Sequence, residues 1–165
     1  MNFTLSIRKV EKRDEPYLSA IIRAVFEEHN APKEGTVYSD PTTDYLHDLF
    51  ENADSILWVA EWDHQIVGCC GVYPTEGLPV KTAELVKFYI SPNARGIGIG
   101  KQLIEKSIAS AKDLGYEKLY LESMPQFSKA VDFYNRLGFK SLEKAMGNSG
   151  HTSCSIWMLL PLDAI

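Results

Sequence analysis

The segment from Leu85 to Lys101 most constrains the fold of this chain, because it combines a buried strand, a glycine-rich turn and the start of a helix. Apolar residues predominate up to Ile90, and Arg95-Gly96-Ile97-Gly98-Ile99-Gly100-Lys101 then leads into a helical pattern. Such a turn presents several backbone N–H groups at a helix N-terminus, where the helix dipole also favours anions. Arg95 adds a positive charge. The segment therefore predicts a site for phosphate or pyrophosphate.

Counting excludes two common glycine codes at this turn. A P-loop needs a glycine five places before the Gly-Lys pair and a Ser or Thr after it, but these places hold Arg95 and Gln102. A dinucleotide fingerprint, G-x-G-x-x-G, would end at Lys101 or at Leu103. The pattern that remains is R-x-x-G-x-G, running from Arg95 to Gly100.

Hydrophobic periodicity along the whole chain predicts the order β-α-α-β-β-β-α-β-α-β-β, a mixed α/β sheet with helices on its faces. Asp14 is expected to cap the first helix, and Asp63-His64 to form a hairpin turn. Gly115 and Gly138 are expected to end the third and fourth helices. The predicted strands are 3–10, 55–62, 65–73, 82–90, 118–123, 139–142 and 152–159, and the later helices 43–50, 99–114 and 128–137.

Composition narrows the function. The 165 residues, 45% of them hydrophobic and 24% charged, fit one domain covering 1–165. A net charge of −5 without any basic run argues against nucleic-acid binding and mildly favours a cationic substrate. No signal peptide and no membrane span is expected. The three cysteines lack metal-ligand spacing, so we expect no metal site, free thiols and a cytoplasmic location.

A second motif lies about 30 residues beyond the turn, where Ala130-Val131-Asp132-Phe133-Tyr134-Asn135-Arg136-Leu137-Gly138-Phe139 follows A-x-x-F-Y-x-x-x-G-F. In this order the two motifs resemble the GNAT N-acetyltransferase superfamily, in a small bacterial-type form, over nearly the whole chain. The resemblance implies the acyl-CoA N-acyltransferase fold, with a mixed, mostly antiparallel central sheet and helices on both faces. It also implies acetyl-CoA as co-substrate.

The resemblance assigns acetyl-CoA to the fourth strand and the turn after it. Backbone groups of Phe88, Tyr89 and Ile90 would bind the thioester carbonyl and the pantetheine arm. Phe127 stands where many members carry a pantetheine-contacting Asn, so that side-chain contact is not expected. The residues that would hold the pyrophosphate are Arg95, Gly96, Ile97, Gly98, Ile99, Gly100 and Lys101.

Three side chains are candidates for proton transfer. Tyr134 matches the family tyrosine that protonates the coenzyme A sulfur, although its spacing also fits a core aromatic. Glu84, four residues before Phe88 and expected on the same strand face, is the candidate base; the alternatives are a solvent-facing or a substrate-binding carboxylate. His151 is a second base candidate, with a surface loop histidine as its alternative.

The acceptor is less constrained by the sequence. Tyr38, Asp40 and Tyr45 lie between the first two helices, where members of the resembling family build the acceptor pocket. Glu122, at the end of the fifth strand, could face the cleft. Cys154 lacks a neighbour that would activate it as a nucleophile. We expect direct acetyl transfer to a primary amine of a small molecule, with a protein amine as a further option. The alternative is an acyl-CoA-sensing module without turnover. Dimers are common in the family, which makes a homodimer through the C-terminal strand a hypothesis.

Overall fold

All seven strands of the computed structural model, which describes residues 4–164, lie in one sheet. The predicted order of strands and helices is confirmed, except that Phe3 lies outside the described residues. The strands are β1 (Leu5–Lys9), β2 (Ile56–Trp62), β3 (Gln65–Tyr73), β4 (Thr82–Ile90), β5 (Lys118–Ser123), β6 (Lys140–Leu142) and β7 (Ile156–Pro161). The α-helices are α1 (Glu15–Glu28), α2 (Leu46–Leu49), α3 (Ile99–Asp113) and α4 (Ser128–Leu137).

The strands follow the spatial order β1-β2-β3-β4-β5-β7-β6. Every neighbouring pair is antiparallel except β4 and β5, which are parallel. A hydrophobic core covers each face of the sheet. Leu103 and Ile104 of α3 belong to one core, together with residues of α4, whereas Leu18 and Phe26 of α1 belong to the other, together with Leu46 of α2.

The parallel pair is short. Strands β4 and β5 are in register only from Thr82 opposite Lys118 to Glu84 opposite Tyr120. Both strands continue beyond that point, β4 to Ile90 and β5 to Ser123, without pairing to each other. The sheet is therefore open at its centre, and the gap begins at Glu84.

A β-bulge interrupts β4 beside this gap. Tyr89 lies opposite Cys69 of β3 and Val86 lies opposite Gly71, so two residues of β4 face the single residue between them. Lys87, at the bulge, has φ +57°, in the left-handed region that residues with a side chain seldom adopt. An extra residue reverses the alternation of side chains along the strand.

The expectation that Glu84 and Phe88 share a strand face is therefore wrong. Leu85 and Phe88 pack in the core on the α3 side, whereas Val86 and Tyr89 pack on the α1 side. The bulge separates the two sets, because regular alternation would have placed Val86 and Phe88 on the same face.

Three local predictions differ from the structure. Asp14 is the N-cap residue of α1, but its side chain makes no capping hydrogen bond, because the buried carboxylate accepts from the Glu11 N–H and from Arg8. The second helix is reduced to α2, because Pro41–Asp44 forms a 3-10 turn with Asp40 as its cap. Strand β7 starts at Ile156, so residues 152–155 belong to the preceding loop.

The predicted turns are confirmed. Asp63 and His64 link β2 and β3 with φ values of +52° and +65°, which match the two positive values of a type I′ hairpin turn. Gly138 caps α4 with φ +106° and Gly115 follows α3 with φ +90°, both left-handed conformations that glycine adopts without steric cost.

Candidate active site

A cleft of about 660 Å³ runs along the gap between β4 and β5. The glycine turn lines one end, and Glu84, Glu122, His151 and Cys154 line the other. Aromatic side chains of β4 and α4 line the middle, Tyr134 among them. The space exists because β4 and β5 stop pairing after Glu84 and no other strand within residues 4–164 lies between them. Most of the predicted site residues thus share one continuous cavity.

The glycine turn at the first end is built by the backbone. Gly96 and Gly98 have φ values of +79° and +87°, and Gly98 is the N-cap of the 15-residue helix α3. A Cβ at either position would meet no atom within 4 Å, so the backbone conformation is what calls for glycine there. At Gly100 a Cβ would lie 3.1 Å from Phe88 Cζ, which shows how closely α3 approaches β4.

Arg95 does not present a free charge at the mouth of the turn. Its Nε donates to the Ile90 carbonyl at 3.0 Å, and its two Nη atoms donate to the Glu28 carboxylate at 2.7 and 2.9 Å. The hydrogen bonds from Arg95 lower the pKa of Glu28. Arg95 therefore joins the end of α1 to the end of β4. Lys101, on the first turn of α3, is exposed.

The strand residues predicted to bind the acyl arm lie on both sides of the sheet. Phe88 and Ile90 pack toward α3, whereas Tyr89 packs toward α1, with its ring centre 5.9 Å from the ring centre of Phe26. Phe127, which replaces the family Asn, lies in the cleft wall with its ring 5.2 Å from that of Phe26.

Tyr134 combines a packed ring with a place on the cleft wall. It is 7% exposed, and its ring centre lies 6.1 Å from that of Phe88 and 5.8 Å from that of Phe139. Burial raises the pKa of the phenol far above its ordinary value, so Tyr134 is protonated at neutral pH. The core and the functional interpretations of this residue are thus compatible.

Glu84 lies at the point where β4 and β5 part. The side chain is 5% exposed, and Oε1 accepts a hydrogen bond from Thr75 Oγ1 at 2.6 Å. Burial raises the pKa of Glu84 to about 7; the hydrogen bond from Thr75 opposes the rise and the charge of Glu122 adds to it. A carboxyl group with such a pKa can accept or release a proton near neutral pH.

His151 and Asp40, two residues far apart in the sequence, form a pair. The His151 Nε2 lies 2.9 Å from Asp40 Oδ2. Asp40 Oδ1 accepts from the Thr42 N–H at 2.9 Å and from Thr42 Oγ1 at 2.7 Å. Burial alone would raise the pKa of Asp40, but the hydrogen bonds from His151 and Thr42 outweigh it and hold that pKa below its ordinary value.

Glu122 links this pair to β5. One of its carboxylate oxygens accepts from Tyr120 Oη at 2.6 Å, and the other accepts from Ser149 Oγ. Ser149 Oγ in turn accepts the His151 N–H at 3.1 Å. The carboxylate of Glu122 thereby fixes the loop that carries His151.

Three further hydrogen bonds hold the same loop, residues 143–155, against its neighbours. Ser153 N–H donates to the Gly35 carbonyl at 3.0 Å, and Ser153 Oγ donates to the Glu34 carbonyl at 2.7 Å. Asn148 N–H donates to the Glu76 carbonyl at 2.7 Å. These hydrogen bonds fix the loop whose His151 and Cys154 line the end of the cleft opposite the glycine turn.

Other predicted pocket residues lie elsewhere. The Tyr38 hydroxyl donates to Glu27, Tyr45 is 58% exposed, and neither residue lines the cleft. Cys154 does line it, but burial raises the pKa of the thiol to about 12, which removes the thiolate needed for nucleophilic attack. His29, which was not considered as a site residue, contributes to the cleft wall beside Phe127.

The sequence reasoning missed Lys87. This lysine is buried and belongs to the cleft lining, and its only signal in the sequence is a second charged residue, after Glu84, within a mostly apolar strand. Asp40 was named for the pocket but not as the partner of His151, a contact that joins two loops 111 residues apart. No helix within residues 4–164 is long and apolar enough to cross a membrane.

Sequence comparisons agree with the motifs. A family model described as "Acetyltransferase (GNAT) family" matches residues 22–139. An Escherichia coli K12 protein named "Uncharacterized N-acetyltransferase YjgM" is 31% identical over 157 residues, which cover 94% of each chain. Human N-acetyltransferase 8B is 33% identical over 107 residues, which cover 64% of this chain and 45% of the human protein.

Solved structures share the fold. An acetyltransferase of the GNAT family from Staphylococcus aureus Mu50 superposes with a TM-score of 0.84 at 21% identity, covering 96% of this chain and 99% of that one. The PaiA N-acetyltransferase from Thermoplasma acidophilum, solved in complex with coenzyme A, gives 0.76 at 21% identity with the same coverage. At these identities the likeness shows the fold.

The raised pKa of Glu84 predicts a pH-dependent stability difference. Because the folded-state pKa exceeds the unfolded value, the stability that a neutral Glu84 provides is complete below about pH 4.5 and is lost as the pH rises through 7. We therefore expect Glu84→Gln to be more stable than wild type at pH 8, with a higher melting temperature and a free energy of unfolding larger by up to about 3 kcal/mol. This difference in stability should disappear toward pH 4.5.

Thermal unfolding followed by circular dichroism across this pH range measures the difference. The matched control is Glu76→Gln, because Glu76 is exposed and follows Thr75, the hydrogen-bond partner of Glu84. The difference in melting temperature between this control and wild type should not change with pH. A flat profile for Glu84→Gln as well would show that the carboxyl group at position 84 has an ordinary pKa.

Proposed function

Because this chain belongs to the GNAT acetyltransferase family, we propose that it transfers the acetyl group of acetyl-CoA directly to a primary amine of a small molecule. The observation that carries the proposal is the single cleft in which the glycine turn, Tyr134 and Glu84 line one continuous space. An anion site, a protonated phenol and a carboxyl group of near-neutral pKa are the parts that acetyl transfer requires.

The donor would occupy the glycine-turn end. Its pyrophosphate would accept hydrogen bonds from the backbone N–H groups of 96–101 at the start of α3, where the dipole also favours an anion. The pantetheine arm would then lie in the gap between β4 and β5. The Phe88 N–H, at the bulge, would donate to the thioester oxygen. The coenzyme A complex of the Thermoplasma relative, which has the same fold, supports this mode of binding.

The acceptor amine would approach from the other end and attack the thioester carbon. A C–N bond forms and the C–S bond breaks. Glu84 takes the proton that the amine loses, and Tyr134 gives its proton to the departing sulfur. Negative charge that develops on the carbonyl oxygen is stabilised by the Phe88 N–H, an interaction typically worth a few kcal/mol. The enzyme itself forms no covalent bond to the acetyl group.

Two further proposals concern the location of the enzyme in the cell and its oligomeric state. We propose a cytoplasmic location, which free thiols at Cys69, Cys70 and Cys154 support. Cys69 and Cys70 belong to cores on opposite faces of the sheet. Dimerisation through the C-terminal strand stays a prediction.

A pooled amine screen tests the proposed function. Purified protein is incubated with acetyl-CoA and pools of primary amines, and free thiol is measured with a chromogenic disulfide. We expect thiol release that depends on both the protein and an amine, with the N-acetyl product identified by mass spectrometry. Acetyl-CoA binding without turnover on any pool, including amine-bearing peptides, would favour the sensing module. Acetylated Cys154 recovered during turnover would contradict direct transfer.

Removal of the Tyr134 hydroxyl should slow the chemical step. Tyr134→Phe keeps the ring contacts to Phe88 and Phe139, so the fold and coenzyme A binding should be preserved. We expect kcat to fall by about 10²-fold or more, the lower range for loss of a general acid. Coenzyme A affinity from calorimetry is the control. Full turnover in the variant would show that Tyr134 is a core residue only.

The pH profile separates the two candidate bases. If Glu84 is the base, kcat/KM should rise with pH through about 7, because the carboxyl group must lose its proton first. Glu84→Gln should then lower kcat strongly and abolish this limb. His151→Gln should leave the limb in place. The reverse result, with the limb lost only in His151→Gln, would assign the base to the His151–Asp40 pair.

A further inference from the structure

Lys87 is a buried cation that the proposed chemistry does not use. The bulge in β4 turns its side chain to the same side of the sheet as Glu84, where its charge interacts with those of Asp40 and Glu84. The residue is 7% exposed and lines the cleft. Within residues 4–164 its ammonium group makes no hydrogen bond and has no carboxylate within ion-pair distance.

Such an arrangement is costly in an isolated protein. Lysine is almost never fully buried without a partner, because moving an ammonium group out of water loses its hydration. The nearby carboxylates already have other partners: Asp40 accepts from His151 and Thr42, and Glu84 accepts from Thr75. Burial lowers the pKa of Lys87, while Asp40 and Glu84 oppose that shift. Among the described residues Lys87 Nζ is not one of the solvent-inaccessible atoms without a partner, so the ammonium group is open to the cleft and a counter-charge can reach it from there.

We propose that the acceptor carries a carboxylate close to its amine, and that Lys87 binds this carboxylate while the amine faces Glu84. The acceptor class is then the amino acids and their close analogues, rather than amines without an acidic group. This inference rests on the proposed function and adds to it the charge pattern of the substrate. An acceptor of this kind would pair its carboxylate with the positive Lys87 and its amine with the negative Glu84.

The charge pattern of the cleft fits a zwitterion. Glu84 and Glu122 lie in the cleft wall and can receive an ammonium group, whereas Lys87 is the cation that reaches the same end from β4. A simple diamine would place a positive charge beside Lys87, and like charges in a buried site repel. A carboxylate on the acceptor removes that repulsion and forms a charge-assisted hydrogen bond.

The first test uses the wild-type protein and needs no substitution. Thiol release is measured with saturating acetyl-CoA against α-, β- and γ-amino acids and against the matching carboxamide of each. The pairs differ in the carboxylate alone. We expect kcat/KM for the best amino acid to exceed that for its carboxamide by about tenfold or more, the effect of one hydrogen bond to a charged group. Equal rates, or faster carboxamides, would overturn the inference.

Substitution of Lys87 then assigns the preference to this side chain. Lys87→Met keeps the length of the side chain without its charge, and the ratio of carboxylate to carboxamide kcat/KM should fall to about one. Lys87→Arg should retain part of the preference. Lys140→Met, on the exposed edge strand β6, is the matched control and should keep the wild-type ratio. A wild-type ratio in Lys87→Met would show that Lys87 only offsets the neighbouring carboxylates.

The outcomes also separate this inference from the proposed function. Turnover confined to amines that lack a carboxylate overturns the inference and leaves acetyl transfer intact. Acetyl-CoA binding without thiol release on either series, or on any amine of the pooled screen, overturns both. Thermal unfolding of each variant identifies any loss of fold, and in that case the wild-type ratio alone decides.

Discussion

The left-handed backbone at Lys87 is the constraint on which the central part of this molecule depends. One extra residue in β4 reverses the side-chain alternation, so that Phe88 packs toward α3 while Glu84 and Lys87 belong to the other side. A conformation of this kind costs of order 1–3 kcal/mol at a residue with a side chain, and it persists only where the surroundings enforce it. Here the pairing of β3 with β4 on both sides of the bulge enforces it.

The bulge acts together with the early end of β4–β5 pairing. Past Glu84 the two strands no longer share hydrogen bonds, and the bulge leaves Lys87 and Phe88 without register partners in β3. Backbone groups that a closed sheet would have used are thus left at the edge of the cleft. Five consecutive residues around this irregularity in β4 thus carry the backbone proposed to bind the acyl group, a candidate base and a buried cation.

Local patterns in the sequence were sufficient for much of this architecture. The two-residue hairpin at Asp63-His64 and the glycine ends of α3 and α4 depend on φ preferences within a few residues, and all were predicted. The glycine turn was predicted for the same reason. The sequence could not reveal the bulge, because the segment from Leu85 to Ile90 is apolar except for Lys87 and predicts an ordinary buried strand. The extra residue is recognised only from the register of β4 with β3.

Contacts between distant segments account for the remaining differences. Asp14 has the residue type of a helix cap, but the guanidinium of Arg8 on β1 competes for its carboxylate. Residues 152–155 were predicted to begin the last strand, yet Ser153 pairs with Gly35 in another loop and β7 begins later. The His151–Asp40 pair arises from the same loop-to-loop packing. The last two outcomes depend on partners that no local window contains, whereas Arg8 lies six residues before Asp14 but on a different element.

The two ends of the cleft differ in how they are built, and this explains why the donor could be predicted and the acceptor could not. At the donor end the proposed anion site consists of backbone N–H groups, whose positions follow from a glycine pattern and a helix start. At the other end, the side chains of Asp40 and His151 from two loops, together with side chains of strands β4 and β5, supply the charges. Backbone sites leave a short, ordered signature in a sequence, whereas a charge pattern assembled from Asp40, Glu84, Lys87 and His151 exists only after folding. Under the proposed function, the choice of acceptor therefore depends on long-range contacts.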